Sequence, residues 1–318
     1  MSIRLHSKAL AALLTLLLAL VVPACGSDDG GGGGGGGDGS NGDAAELLDK
    51  ALKKQVDTAD VKLDFSGEVK AENAPQGPIK LSLEGPYKSN GQKALPSLDW
   101  KVAFEGSSIK LDGRLIVTEN NAFVEYQGRT YEVGTALYDR VSKLYAQQSQ
   151  EPLSLDALGL EPASWFDDPE VGDGDDIGGD STQKVSGAVD VGAFVKDLSD
   201  ALQSPALKQR LEAQGSPVPK APTKAEIKEA EETFKKLTVA LNVDEDDFLR
   251  RLALEGDLEN PDKPSEQANG SFDVTLESVN EGADIKAPSK ARPITELLQQ
   301  FRGLGGGGLG GGRPDIAP

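Results

Sequence analysis

The sequence predicts an α+β fold organised on one strongly curved antiparallel β-sheet. Three observations predict it. Most of the chain between Val61 and Val133 alternates apolar and polar residues with period two, the mark of strands buried on one face. Segments with helical spacing precede, interrupt and follow these strands. Five strands place a glycine on the apolar phase, in FSGEV, LEGPY, LDGRL, VSGAV and LEGDL.

Taken in order, Ala44–Lys54 reads as a short helix with Leu47, Leu48 and Leu52 along one side. A meander follows. Val61, Leu63, Phe65, Gly67 and Val69 alternate with polar residues, as do Ile79, Leu81, Leu83 and Gly85. Leu98, Trp100, Val102 and Phe104 form a third strand, and Ile109, Leu111, Gly113, Leu115 and Val117 a fourth. Two shorter strands lie near Phe123–Tyr126 and Thr130–Val133. Turn signals (APQGP, SNGQ, EGSS, ENN, QGR) separate them. A helix is expected over Thr135–Gln148, then mixed helical turns over Leu153–Phe166. A strand over Gln183–Val191 runs into a helix at Gly192–Leu202, with a further helix at Ala206–Ala213 and a Pro-rich hinge at Gly215–Pro222. Ile227, Ala230, Phe234 and Leu237 predict an amphipathic helix over Lys224–Leu237. The last strands are Thr238–Val243, Leu249–Leu258 and Phe272–Val279, and Ile294–Phe301 is a closing helix. The total is an antiparallel sheet of about nine strands, apolar on one face, which must be covered by helices, another sheet or a ligand.

Glycine weakens a strand and offers nothing to pack. Gly67, Gly85, Gly113, Gly187 and Gly256 on the apolar phase therefore need a reason. One reason is curvature, which in-phase glycines permit. The other is vacancy, space left for a guest, giving a hydrophobic cradle. The residues expected to line such a cradle are Leu63, Phe65, Gly67, Leu81, Leu83, Trp100, Phe104, Leu111, Gly113, Leu115, Val185, Gly187, Leu254, Gly256 and Val274.

The only cysteine, Cys25, follows an apolar run over Ala9–Val22 that begins after Arg4 and Lys8. That run is short for a bilayer span and fits a secretory signal over residues 1–24. Val22, Pro23 and Ala24 before Cys25 resemble the lipobox of bacterial lipoproteins, in which the cysteine becomes the lipid-bearing first residue. Pro23 departs from the commoner small residues there. Residues 25–42, with eight consecutive glycines, read as a flexible tether, and 303–318 as a Gly-rich disordered tail. One domain is expected over 43–302, held at the extracytoplasmic face of the cell membrane.

Charge and composition exclude several classes. The formal charge is −19, and −21 once Arg4 and Lys8 leave with the signal. Such a chain is repelled by nucleic acid. The only histidine, His6, also lies in the signal, so His-based triads and zinc sites are excluded from the mature chain. No cofactor or metal is called for, and the protein is not expected to be an enzyme; a monomer is expected. Asp167–Asp180 has the acids of a calcium loop but not EF-hand spacing, since Lys184 stands at the twelfth position from Asp173. It reads as a solvated loop.

The order of elements resembles the LppX/LprAFG group of bacterial lipoproteins, related in fold to LolA-type carriers. The matching pieces are YEVG at Tyr131–Gly134, DIGGDSTQKVSGAVDV at Asp176–Val191, NVDEDDFLRRLALEGDL at Asn242–Leu258, and the stretch from Val274 to Pro288. The charged, Pro-rich stretch from Ser204 to Lys224 is long for the group. The resemblance implies a half-barrel with helices covering the concave face, and a cavity that takes acyl chains of lipids or lipoglycans. Two other readings stay open: an interaction lipoprotein that binds another envelope protein, and a carboxylate-dependent cell-wall hydrolase.

Overall fold

The structure is a computed structural model, which describes residues 40–72, 74, 77–107, 109–148, 160, 162–205, 207–208 and 221–304. Residues 1–24, Cys25, most of the tether and most of the tail lie outside the described residues, as do most of 153–161 and 206–220.

Helix α1 (Ser40–Lys53) leads into strands β1 (Thr58–Lys70), β2 (Ile79–Lys88), β3 (Ser97–Gly106), β4 (Ile109–Val117), β5 (Ala122–Tyr126) and β6 (Arg129–Glu132). Helix α2 (Thr135–Gln148) follows, then a 3-10 turn (Pro162–Trp165), β7 (Phe166–Asp173), β8 (Thr182–Val189), α3 (Val191–Gln203) and α4 (Lys224–Thr233). The chain then forms β9 (Phe234–Asp244), β10 (Leu249–Glu259), β11 (Gln267–Glu277), β12 (Arg292–Pro293) and α5 (Ile294–Leu304).

All twelve strands join one curved, unclosed sheet in the order β12-β6-β5-β4-β3-β2-β1-β11-β10-β9-β8-β7. Every pairing is antiparallel except the two-residue β12, which is parallel to β6. The meander β1–β6 and the block β7–β11 meet where β1 pairs with β11, Leu63 opposite Val274. This pair brings together residues some two hundred positions apart, and it makes one apolar face continuous. A single rung runs from Tyr126 on β5 through Val102, Leu83 and Leu63 to Val274, then through Leu252 and Leu241 to Val185 and Val171 on β7.

Helix α1 closes half of that face. Ala44, Leu48 and Ala51, at spacings of four and three, are its buried residues. Ala44 and Leu48 pack into the cluster of Leu63, Val185, Leu241, Leu252, Phe272 and Val274. A second cluster joins Leu160, Trp165, Phe194 and Ala201, with the Trp165 and Phe194 rings edge to face at 5.1 Å. Helix starts are capped as their sequences demand. Asp190 accepts from Ala193 N–H at the head of α3, and Thr223 and Glu226 form a reciprocal capping box on α4.

Five sequence expectations are corrected. The sheet has twelve strands, not about nine. Part of the supposed Asp-rich loop is β7, whose acids hid a strand held by Val171 opposite Val185. The helix expected to reach Leu237 stops at Thr233, because from Phe234 the chain follows the strand period of Leu237, Val239, Leu241 and Val243. Strand β11 begins at Gln267, five residues before Phe272, where polar residues pair with Glu259 and Lys70. Residues 40–42, given to the tether, are the first turn of α1.

Candidate functional site

The uncovered half of the apolar face is the candidate site. The described helices pack mainly on β7, β9, β10, the β6–β12 edge and each other. On the meander the apolar phase stays partly open: Leu81, Leu83, Trp100, Val102, Phe104 and Leu115 are half-buried. Leu111 and Ile109 are 40% and 55% exposed. Period-two alternation fixes which side chains share this platform. Register brings them together, Leu81 opposite Phe104, Phe104 opposite Leu111, and Trp100 opposite Leu115.

The expected lining therefore divides. Leu63, Val185, Leu254 and Val274 are buried in the cluster under α1, where the protein's own side chains fill the space. Phe65 and Leu83 border that cluster. Leu81, Trp100, Phe104, Leu111 and Leu115 belong to the open platform. The platform also includes Val102, Ile109 and Tyr126, whose phase in the strands carried the same signal.

The vacancy reading of the glycines is corrected at three positions. A Cβ at Gly67 would lie 3.2 Å from Phe65 Cζ, one at Gly187 3.1 Å from Phe166 Cδ1, and one at Gly256 3.5 Å from Leu237 Cδ1. Neighbouring side chains lean over each bare spot, as aromatic and aliphatic residues do beside strand glycines. Gly113 has a different reason. A Cβ there would lie 2.8 Å from the Glu125 carbonyl oxygen, so the absent side chain lets β4 and β5 approach. Gly67, Gly270 and Gly256 stand side by side on β1, β11 and β10.

Two clefts lie on the opposite, polar face. One of about 580 Å³ is lined by Glu84, Asp99, Lys101, Asp112, Arg114 and Glu125. The other, about 320 Å³, shares Asp112 and is floored by Ser66, Ser82, Ala103 and Ser271. Arg114 holds Asp99 through two hydrogen bonds, one of 2.6 Å from Nη2, and this pairing holds the guanidinium above its ordinary pKa. Both clefts are rimmed by charged side chains, and Phe65, Leu81 and Phe104 also line the smaller one.

Three acids of the 173–181 loop have side-chain partners, two of them arginines of the sheet. Asp175 meets Arg251 at 3.1 Å, Asp180 meets Arg250 at 2.7 Å, and Asp176 accepts from Ser181. Among the described residues no cluster of three His, Cys, Asp or Glu is arranged to hold a metal ion.

Fold and face together define a curved, open half-barrel of the α+β class with an apolar platform on half of one side. No family model and no curated protein matches the chain. Among solved structures it is similar to LprF from Mycobacterium bovis, at 14% identity and a TM-score of 0.39, over 78% of this chain and 98% of that one. It is also similar to a LolA superfamily protein from Nitrosomonas europaea, at 9% identity and a TM-score of 0.20, over 75% of this chain and 95% of that one.

Proposed function

We propose that the protein is a lipid-anchored, extracytoplasmic lipoprotein that binds or carries the acyl chains of a lipid or lipoglycan on the open half of its apolar face. The observation that carries this reading is the platform itself. Leu81, Phe104 and Leu111 stand in register on adjacent strands, with Leu111 40% exposed. A chain moved from water onto such a surface gains about 0.8 kcal/mol per buried CH₂, with no charged contact required. The covered half supplies rigidity: β1 is fixed to β11 under α1, so the platform is held by a packed core. Cys25 would carry the anchor, and residues 26–39 would give the domain reach over the membrane surface.

Native mass spectrometry after mild extraction tests this reading. A co-purifying adduct of lipid mass, and uptake of a fluorescent fatty-acid analogue by the stripped protein, are the expected results. Lipid-free protein that takes up no analogue overturns it. One observation favours the second reading, an envelope-protein partner: Leu137, Val141 and Leu144 of α2 are 47%, 45% and 49% exposed along one stripe. A pulldown that depends on these three residues, with no lipid bound, would establish that function instead.

A further inference from the structure

Seven large apolar side chains are exposed among the described residues, and three of them, Leu137, Val141 and Leu144, lie on α2. Spacings of four and three put them in one stripe along the helix. Another side of α2 is fixed to the sheet. Tyr138 is buried and donates its hydroxyl to the Thr118 carbonyl at 2.8 Å, and Gly134 N–H, just before the helix, donates to Asn121 Oδ1 at 3.1 Å. The helix is thus held at the end of β4 with its stripe in solvent. Arg140 stands three residues after Leu137 and four before Leu144, so it borders the stripe, and Lys143 lies three residues on, on the same flank. Both are exposed, and neither is paired with an acid among the described residues. Arg114, Arg250 and Arg251, by contrast, are each held by carboxylates. The one acid of α2, Asp139, falls on the side away from the stripe.

We propose that α2 docks on the phospholipid surface of the membrane, with its stripe among the upper acyl chains and Arg140 and Lys143 on lipid phosphates. A helix with an apolar stripe flanked by basic residues suits that interface. A protein partner suits it less, since three half-exposed side chains fall far short of the about 1,000 Å² that a stable protein interface buries. The proposal rests on the anchor part of the reading above and adds an orientation to it. Residues 26–39 would keep the start of α1 about 20 Å from the lipid on Cys25, an effective concentration on the millimolar scale, so a weak stripe suffices. Docking brings the end of β4, the strand of Leu111 and Leu115, to the membrane. The formal charge of −19 opposes an anionic surface, so the fitting surface is zwitterionic.

The test uses the full chain, purified from a bacterial host and reconstituted into phosphatidylcholine vesicles. Its Cys25 thiol is occupied by the lipid, so an environment-sensitive thiol dye marks only an introduced cysteine. Leu144→Cys places the dye on the stripe. Glu255→Cys places it on β10, far along the sheet from β6. The dye at 144 should shift to the blue on the vesicles and be quenched by nitroxide-labelled phosphatidylcholine, and the dye at 255 should do neither. Adding Leu137→Ser and Val141→Ser should lower the docked-to-free ratio about tenfold or more. Both positions are exposed, so folding should be preserved. Val69→Ser, which removes an exposed apolar side chain from β1, should leave the ratio unchanged. If the wild type takes up the dye at Cys25, there is no lipid anchor, and the anchor reading and the docking fall together. If Cys25 is blocked and the dye at 144 is neither shifted nor quenched, the docking is wrong and the anchor stands. A dye at 144 that stays in water on vesicles, with a protein captured through Leu137, Val141 and Leu144, assigns the stripe to that partner and overturns the docking.

Discussion

Arg250 Nη1 stands 2.9 Å from Asp244 Oδ2, and both side chains are buried, at 3% and 7% exposure. The same nitrogen reaches Asp180, Nε donates to the Leu276 carbonyl, and Nη2 donates to the Ile177 carbonyl. One side chain thus ties the 173–181 loop to the β9–β10 hairpin and to β11. Removing it leaves the Asp244 carboxylate buried without its cation, a loss of about 3–5 kcal/mol. Arg250→Ala should lower the urea midpoint accordingly. Arg250→Lys should recover little, because an ammonium cannot fork to two carboxylates and two carbonyls. A midpoint within experimental error of wild type would show that the clamp contributes nothing.

Gly85 and Gly256 both sit on the apolar phase, yet they should respond oppositely to alanine. Gly85 has φ +146°, and a methyl group there would overlap the Asp99 carbonyl on β3. Gly85→Ala should cost about 1–3 kcal/mol through backbone strain and that clash. At Gly256 the new methyl would meet Leu237 Cδ1 at 3.5 Å, ordinary contact. Gly256→Ala should be neutral, or stabilising by about 0.4–1 kcal/mol, because it restricts the unfolded chain. Thermal denaturation of the two variants side by side checks the sign of each.

Tyr138 links α2 to the sheet by donating its hydroxyl to the Thr118 carbonyl at 2.8 Å. Burial, with Glu119 and Asp139 nearby, raises the phenol above its ordinary pKa. A raised folded pKa means that its contribution is whole below the unfolded value, about 10, and is lost as pH rises through the folded value. Between those values the wild type should lose stability while Tyr138→Phe, already about 1 kcal/mol weaker, stays level. Stability measured from pH 8 to 11.5 in both proteins tests this. Parallel curves would assign the alkaline loss to other groups.

The meander was legible because its alternation is regular: the phase of Leu81, Leu83, Trp100, Val102 and Phe104 places every one of them on the platform. What hid was set by distant partners. Strand β7 reads as acid-rich coil because only Phe166, Pro169 and Val171 carry its apolar contacts, and a register irregularity between Asp167 and Glu170 breaks its alternation. The end of α4 was misplaced because Phe234 and Leu237 satisfy a helical spacing as well as a strand's start. The division of the face into a filled and an open half was illegible for a related reason. The leucines of α1 announce a helix that packs, but which strands it covers depends on β1 finding β11. The buried stripe, moreover, is Ala44, Leu48 and Ala51 and excludes Leu47 and Leu52.

Cys25 lies far from this core in sequence, so its role separates cleanly from folding. Cys25→Ala should leave the denaturation curve unchanged, since α1 begins at Ser40. In a bacterial host it should move the protein from the membrane fraction to the soluble extracytoplasmic fraction. Retention of the variant in the membrane would remove the lipid anchor from the proposal and leave the platform untouched.

The two halves of the apolar face make the sharpest contrast. Leu254 is 9% exposed within the packed cluster, whereas Leu111 is 40% exposed on the platform. Leu254→Ala opens a hole in the core and should cost about 2–5 kcal/mol. The fraction that remains folded should still take up an acyl probe normally. Leu111→Ser removes a surface side chain and should change stability by no more than about 0.5 kcal/mol. It should nevertheless weaken the probe, because the hydroxyl would sit where a hydrocarbon chain lies. Stability and uptake are thereby lost at different residues, which a chain held in the closed half could not produce. If Leu254→Ala abolishes uptake in the folded fraction while Leu111→Ser leaves it intact, the guest enters under α1 and the platform is only surface.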